Sequence, residues 1–431
     1  MTAPTNLPTL DAEPQTARRL KMWRYRVFGA TWLCYVGYYF CRKPFSVAKS
    51  RIGHELALDA EQLAWIGAAY LIAYTLGQFL SGGIGPRVGP RKMLLWGMAV
   101  SIASGVGFAA SSSFAAFAVL SIINGFAQAT GWSNAVGTMA SWFHREERGT
   151  VMGVWSTCFQ VGNVAAPALT AWVLQAAGFR WAFLAGSLVL AAVWVVVLFH
   201  QANRPEDKGF AAIVEADGSG GTSADGGPVV WSRATWITVW LVGGAYFAMK
   251  FIRYALDSWA PFFLSRKFGL RDDEAGYVST LFGICGIVGV VATGRLSDKV
   301  FGGRRALVSF IMIVGVVFAT VLIVGVGTQS VLAFALCLGL IGFTLYGPDA
   351  LLTGAGAMDI GGGRGAVRAA GIISGLGSAG SVVQELVIGK MYKDNAGDIR
   401  PVLGTLLASA LLAAACVGAI LVRNRRGLSD V

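Results

Sequence analysis

Two arginines stand in stretches that offer them little water. Arg42 lies in Tyr38–Phe45 (YYFCRKPF) and Arg253 in Lys250–Pro261 (KFIRYALDSWAP), both inside long apolar runs. A charge in such surroundings is costly and is usually held for a purpose. On a helix, Tyr39, Tyr38 and Tyr35 lie three, four and seven positions before Arg42, so phenols crowd its face. Lys250 precedes Arg253 by three positions and shares its face. Two guanidiniums facing one low-dielectric cavity repel unless a doubly negative group sits between them. A phosphoryl group suits that place, because each planar fork donates to two oxygens at once and an ammonium cannot. The alternative is that each arginine partners a buried acid, with Asp257 and Glu385 as the candidates. Lys43 is expected to snorkel or to point away.

The elements that must position these residues are membrane helices. Apolar residues make up 55% of 431 positions and charged residues 13%, against about 25% charged in soluble domains. A spanning helix needs about 20 mostly apolar residues. Runs of that kind recur from 25–48 through 401–422 and predict an all-α integral membrane fold of twelve transmembrane helices in two pseudo-symmetric six-helix bundles. The expected organisation is a tail over 1–24, a bundle over 25–200, a linker over 201–233, a second bundle over 234–422 and a tail over 423–431. The linker is rich in Gly, Ser, Asp and Pro, a composition that buries no core and reads as flexible. Lysines and arginines gather in alternate short segments, including Arg18, Arg19, Lys21, Arg91, Lys92, Arg304, Arg305, Arg425 and Arg426. That bias predicts both termini on the cytoplasmic side of a multi-pass protein of the cell membrane.

A repeat supports the two halves. Gly82–Lys92 (GGIGPRVGPRK) follows the second predicted helix and Gly294–Arg305 (GRLSDKVFGGRR) the eighth, with Pro86 where the later copy has Asp298. Gly82, Arg87, Arg91, Asp298 and Arg304 are therefore candidates for loops that take part in conformational change. Arg42 and Arg253 are 211 residues apart, almost the same offset as the loops, and so fall at equivalent positions of the two halves.

Other classes fit poorly. The net charge of +12 is spread over short loops without a basic domain, so no nucleic-acid partner is expected. The six cysteines lie in apolar stretches without zinc-site spacing and read as packing residues. The polar first 22 residues lack the pattern of a cleavable signal. No nucleophile–base pair, metal cluster or P-loop is evident, so neither catalytic residues, a metal nor a cofactor is expected. Trp132 and Trp155 could line the cavity, although such aromatics more often pack or form interfacial belts, and His144 reads as solvated surface. Asp349, after Gly347 and Pro348, reads as serving a broken-helix turn.

The paired loops resemble those of the major facilitator superfamily. Within it, Tyr38–Phe45 and Arg253–Pro261 resemble the first and seventh helices of the organophosphate:phosphate antiporter family, and Trp142–Gly149, Tyr346–Leu352 and Ala369–Gly375 extend the likeness along most of the chain. The resemblance implies a secondary carrier that exchanges a small phosphorylated anion for inorganic phosphate, embedded in lipid as a monomer. It places the substrate arginines at Arg42 and Arg253. Three positions depart from family patterns: Gln78 stands where many members have lysine, Phe159 (beside Gln160) where the glycerol-phosphate type has histidine, and Ser374 near an extra lysine of the hexose-phosphate type. Less positive charge implies a compact substrate. A transporter-like sensor of a phosphorylated sugar and a proton-coupled carrier of another organic anion are the alternatives.

Overall fold

The structure, a computed structural model, describes residues 12–213, 231–394 and 398–428; the Gly/Ser-rich part of the predicted linker falls outside them. Every regular element among the described residues is helical. The first half comprises α1 (Ala12–Arg42), α2 (Pro44–Glu55), α3 (Ala60–Val88), α4 (Pro90–Ala110), α5 (Phe114–Gln128), α6 (Thr130–Trp142), α7 (Arg148–Trp155), α8 (Cys158–Ala177) and α9 (Phe179–His200). The second comprises α10 (Arg233–Phe268), α11 (Asp272–Lys299), α12 (Arg305–Gly325), α13 (Val331–Ala350), α14 (Ala357–Asp394) and α15 (Arg400–Arg425).

Local chemistry sets the breaks. Proline lacks a backbone N–H, which suits the first turn of a helix, and Pro44 and Pro90 open α2 and α4. Asp59 and Gln62 exchange backbone bonds at the start of α3, with Asp59 accepting from the Gln62 N–H at 2.7 Å. Gly89, at φ 93°, lets the chain turn sharply between α3 and α4. A six-residue π-helix, Leu351–Gly356, separates α13 from α14 and is wholly buried.

Ten of the described helices are long and apolar enough to cross a membrane. The predicted first and fifth spans fall short of that standard although both are helical: Tyr35, Tyr38, Tyr39 and Arg42 dilute the apolarity of α1, and the fifth is divided into α7 and α8. Many exposed side chains are large and apolar, Trp96 at 70% and Leu188 at 71% among them, as lipid contact requires. The protein is a multi-pass membrane protein.

Two expectations about connecting segments change. Residues 12–24, predicted as tail, extend α1. The first part of the predicted linker is docked rather than free: Trp142 Nε1 donates to the Ala202 carbonyl at 3.0 Å, Gln201 Nε2 donates to Thr138 Oγ1 at 3.0 Å, and Phe210 is buried. All six cysteines are free thiols, as packing residues should be. The halves meet where α14 packs on α3 and α6 and where α7 packs on α11. The approach is close enough to demand glycine, since a Cβ on Gly371 would lie 2.5 Å from Gly82 Cα.

Candidate ligand site between the two halves

Residues from α1, α3, α6, α8, α10 and α14 line a narrow cavity with about 20 Å³ of free space. The first half contributes Tyr35, Tyr39, Arg42, Tyr74, Gln78, Trp132 and Phe159; the second contributes Tyr246, Lys250, Arg253, Tyr254 and Ser374. Both sequence-predicted arginines thus line the same space. Tyr35 anchors the aromatic wall, meeting Tyr39, Trp132, Trp155 and Phe159 edge to face.

Arg42 is held mainly by neutral groups. Its Nε donates to Gln128 Oε1 at 2.8 Å, and its guanidinium lies over the rings of Tyr39 and Tyr74 at 4.9 and 5.0 Å. Gln128 is fixed in turn: its Nε2 donates to the Tyr38 carbonyl and to Ser101 Oγ, each at 3.1 Å. Arg42 Nη2 is buried without a hydrogen-bond partner.

Arg253 has a carboxylate. Its Nη1 donates to Asp349 Oδ2 at 2.8 Å, with side-chain exposures of only 8% and 5%. The guanidinium lies over Tyr346 at 4.7 Å and Phe159 at 5.4 Å. Arg253 Nε and Asp349 Oδ1 both lack partners, so the pair is joined by one bond rather than a two-pronged fork. Lys250 Nζ donates to Ser378 Oγ at 3.1 Å, between the rings of Tyr246 and Tyr254. Trp132 Nε1, Ser374 Oγ and Gln78 Oε1, all from cavity-lining residues, are likewise unpartnered. Gln78 Oε1 is an acceptor, but the arginine N–H groups, Trp132 Nε1 and Ser374 Oγ are spare donors around fixed positive charge, an arrangement able to bind an oxyanion.

Several candidate residues lie elsewhere. Tyr38 is fully buried behind the cavity wall, its hydroxyl 3.0 Å from Thr130 Oγ1. Gln160 is buried but does not line the cavity. Asp257 is exposed and takes no part in an ion pair among the described residues; Asp349 holds the arginine that Asp257 was expected to hold. Glu385 is also exposed, accepting only from its neighbour Gln384 Nε2 at 2.9 Å. Lys43 lies within electrostatic reach of Asp257 but not on the cavity wall. Tyr74, Tyr246 and Tyr254 were missed, and Asp349, expected to serve a broken-helix turn, instead pairs with Arg253. Asp349 carried a usable signal, an acid three positions after Tyr346 in an otherwise apolar helix.

A second buried charge cluster joins the halves. Asp359, at the start of α14, accepts from Arg148 Nη1 at 2.9 Å and from Arg305 Nε at 3.4 Å, with Arg145 Nε at 3.8 Å. Asp298 pairs with Arg305 and accepts from the backbone N–H groups of Gly149 and Thr150. Of the predicted loop residues, Asp298 belongs to this lock and Gly82 to the α3–α14 approach. Arg304 is exposed and its neighbour Arg305 takes the buried place. Arg87 is exposed, and Arg91 stays within its own half, its Nη2 donating to the Leu198 carbonyl at 2.6 Å.

Comparison with known proteins agrees with this architecture. The glycerol-3-phosphate transporter of Bacillus subtilis is 26% identical over 411 residues, covering 91% of this chain and 92% of the relative. The membrane sensor protein UhpC of Escherichia coli is 26% identical over 373 residues, covering 81% and 82%. The human organic anion transporter MFSD10 superposes with a TM-score of 0.71 at 18% identity, covering 91% of this chain and 99% of that one. The two sequence relatives belong to the organophosphate:phosphate antiporter family that Tyr38–Phe45 and Arg253–Pro261 resemble. Residues 31–383 match the family model described as Major Facilitator Superfamily, and the chain belongs to that superfamily.

Proposed function

We propose that this protein is a secondary carrier that binds a small organophosphate between Arg42 and Arg253 and moves it by alternating access, in exchange for inorganic phosphate. One observation carries the reading: arginines from equivalent positions of the two halves line one cavity, and each keeps a buried N–H without a partner. A ligand that draws both toward itself would bind most tightly when the halves close around it, which is how binding shifts a two-state equilibrium. The free space between the side chains is narrow, about 20 Å³, which favours a three-carbon phosphate or phosphate itself over a hexose phosphate. The two bundles, 25–200 and 234–422, are the moving bodies. The lock at Asp359 and Asp298 then closes the cytoplasmic end of a monomer in the cell membrane, with both termini inside.

The test is exchange in proteoliposomes loaded with labelled phosphate and challenged from outside with phosphate, glycerol phosphate and hexose phosphate. Efflux that depends on external phosphate or phosphate ester supports the carrier. Tight binding without any exchange would replace it with the second reading, a sensor, which the likeness to the Escherichia coli sensor keeps in view. Strong preference for a hexose phosphate would overturn the compact-substrate inference. For orientation, single cysteines introduced at the exposed positions 206, 208 and 211 should react only with reagents that reach the cytoplasm; labelling from outside intact cells would reverse the topology.

A further inference from the structure

Arg253 enters the site with one anion already bound to it. We propose that Asp349 is a resident counter-anion that competes with the incoming phosphoryl group for Arg253, so that it sets how tightly the site holds a dianion and how readily it lets go. The inference rests on the arginine clamp proposed above and adds a specificity-determining residue to it.

The geometry has three parts. The carboxylate reaches Arg253 through one 2.8 Å bond, leaving Asp349 Oδ1 and Arg253 Nε unused. A half-made fork has less to lose on opening than a bidentate one, and a phosphoryl oxygen can take over the vacated donor. Next, Tyr346 and Asp349 are three positions apart on α13 and present a ring face and a carboxylate to the same guanidinium, so the cation keeps its aromatic support when the carboxylate moves off. Finally, the arrangement is one-sided, because Arg42 meets only the neutral Gln128 at its Nε. The ligand therefore takes Arg42 without competition and Arg253 in competition.

The consequence is quantitative. If Arg253 rests on Asp349 for nine-tenths of the time, apparent affinity for the phosphoryl group falls about tenfold relative to a site without the carboxylate. Return of Asp349 to Arg253 assists release, which suits a protein that must discharge its cargo on each cycle.

The decisive measurement pairs affinity with turnover. Inorganic phosphate is titrated calorimetrically into purified wild type, Asp349→Asn and Asp349→Glu, and phosphate exchange is measured in proteoliposomes. The expected result is that Asp349→Asn binds phosphate about tenfold more tightly and exchanges it more slowly. Asp349→Glu keeps the charge and should stay within a few-fold of wild type in both. A purely structural carboxylate predicts weaker or unchanged binding in Asp349→Asn. Either result in monodisperse protein overturns the proposal, while the clamp survives if Arg42→Lys still weakens binding. Absence of phosphate binding in wild type would remove the clamp and this inference together. Should Asp349→Asn fail to fold, infrared difference spectra of wild type and Asp349→Glu decide. Phosphate must shift a carboxylate stretch, and the Glu replacement must move that band; a spectrum without them overturns the proposal.

Discussion

Two buried clusters of arginine join the halves of this protein, and they are completed to different degrees. In the lock, Arg148 and Arg305 share Asp359, and Arg305 also meets Asp298. Among the described residues, no side-chain atom of Arg148, Arg305, Asp298 or Asp359 is buried without a partner. In the cavity, by contrast, Arg42 Nη2, Arg253 Nε and Asp349 Oδ1 are all unpartnered. A satisfied network holds surfaces together, whereas an unsatisfied one is expensive until something binds it. The contrast supports the proposed division between a cluster that closes one end of the molecule and one that holds an anion, although both are built from the same residue type at the same inter-half boundary.

The largest effect should come from incompletely dismantling the lock. Asp359→Asn leaves two buried guanidiniums short of charge and should destabilise the closed arrangement by about 3–5 kcal/mol, the usual penalty for removing one partner of a buried ionic cluster. Accessibility of a cysteine in place of the buried Val367, whose side chain packs against Gly85 and Gly137 of the first half, should rise, and unchanged accessibility would mean that the lock does not hold this end shut. Next, Arg42→Lys keeps the charge but loses the fork, and should weaken phosphate binding by about tenfold to a hundredfold. Arg253→Lys should fall toward the lower part of that range, because on the competition proposed above Arg253 is shared between Asp349 and the ligand. Calorimetry on monodisperse protein checks both; near-native affinity in the two variants would erase the distinction between cavity and lock.

A smaller change tests how Arg42 is aimed. Gln128→Ala removes the acceptor of Arg42 Nε and of Tyr70 hydroxyl, which contacts the same oxygen at 3.3 Å. Leaving such groups unsatisfied costs about 1–3 kcal/mol, so thermal stability and phosphate affinity should both decline. A drop in stability alone would make Gln128 a packing residue. Smallest of all, Arg304→Ala and Arg87→Ala should alter stability by no more than about 0.5 kcal/mol, as exposed positions usually do. Lys43→Ala should affect binding far less than Arg42→Lys, since it is about 100° around the helix. A large loss in any of these three would blur the boundary drawn here between functional and solvated charge.

The sequence by itself determined the class of protein, because a membrane leaves few choices. Apolar runs of spanning length must be helices that satisfy their own backbone, so the all-helical plan followed from composition and period. The repeat placed Arg42 and Arg253 as counterparts, and both line the cavity. Periodicity also put Tyr35 and Tyr39 on the face of Arg42, but it put Tyr38 there too. Only packing against Thr130 and Leu94 turned Tyr38 away. The same limit explains the counter-ions. Asp257 is one helical turn from Arg253 and was the visible candidate, while the acid that reaches it, Asp349, is 96 residues distant on another helix. Arg304 and Arg305 are indistinguishable as neighbours in a basic loop, yet one is exposed and the other fully buried. A sequence fixes angles around its own helix; which neighbour a side chain meets depends on how separate helices rotate and approach, and here that decided the ionic partners of Arg253 and Arg305.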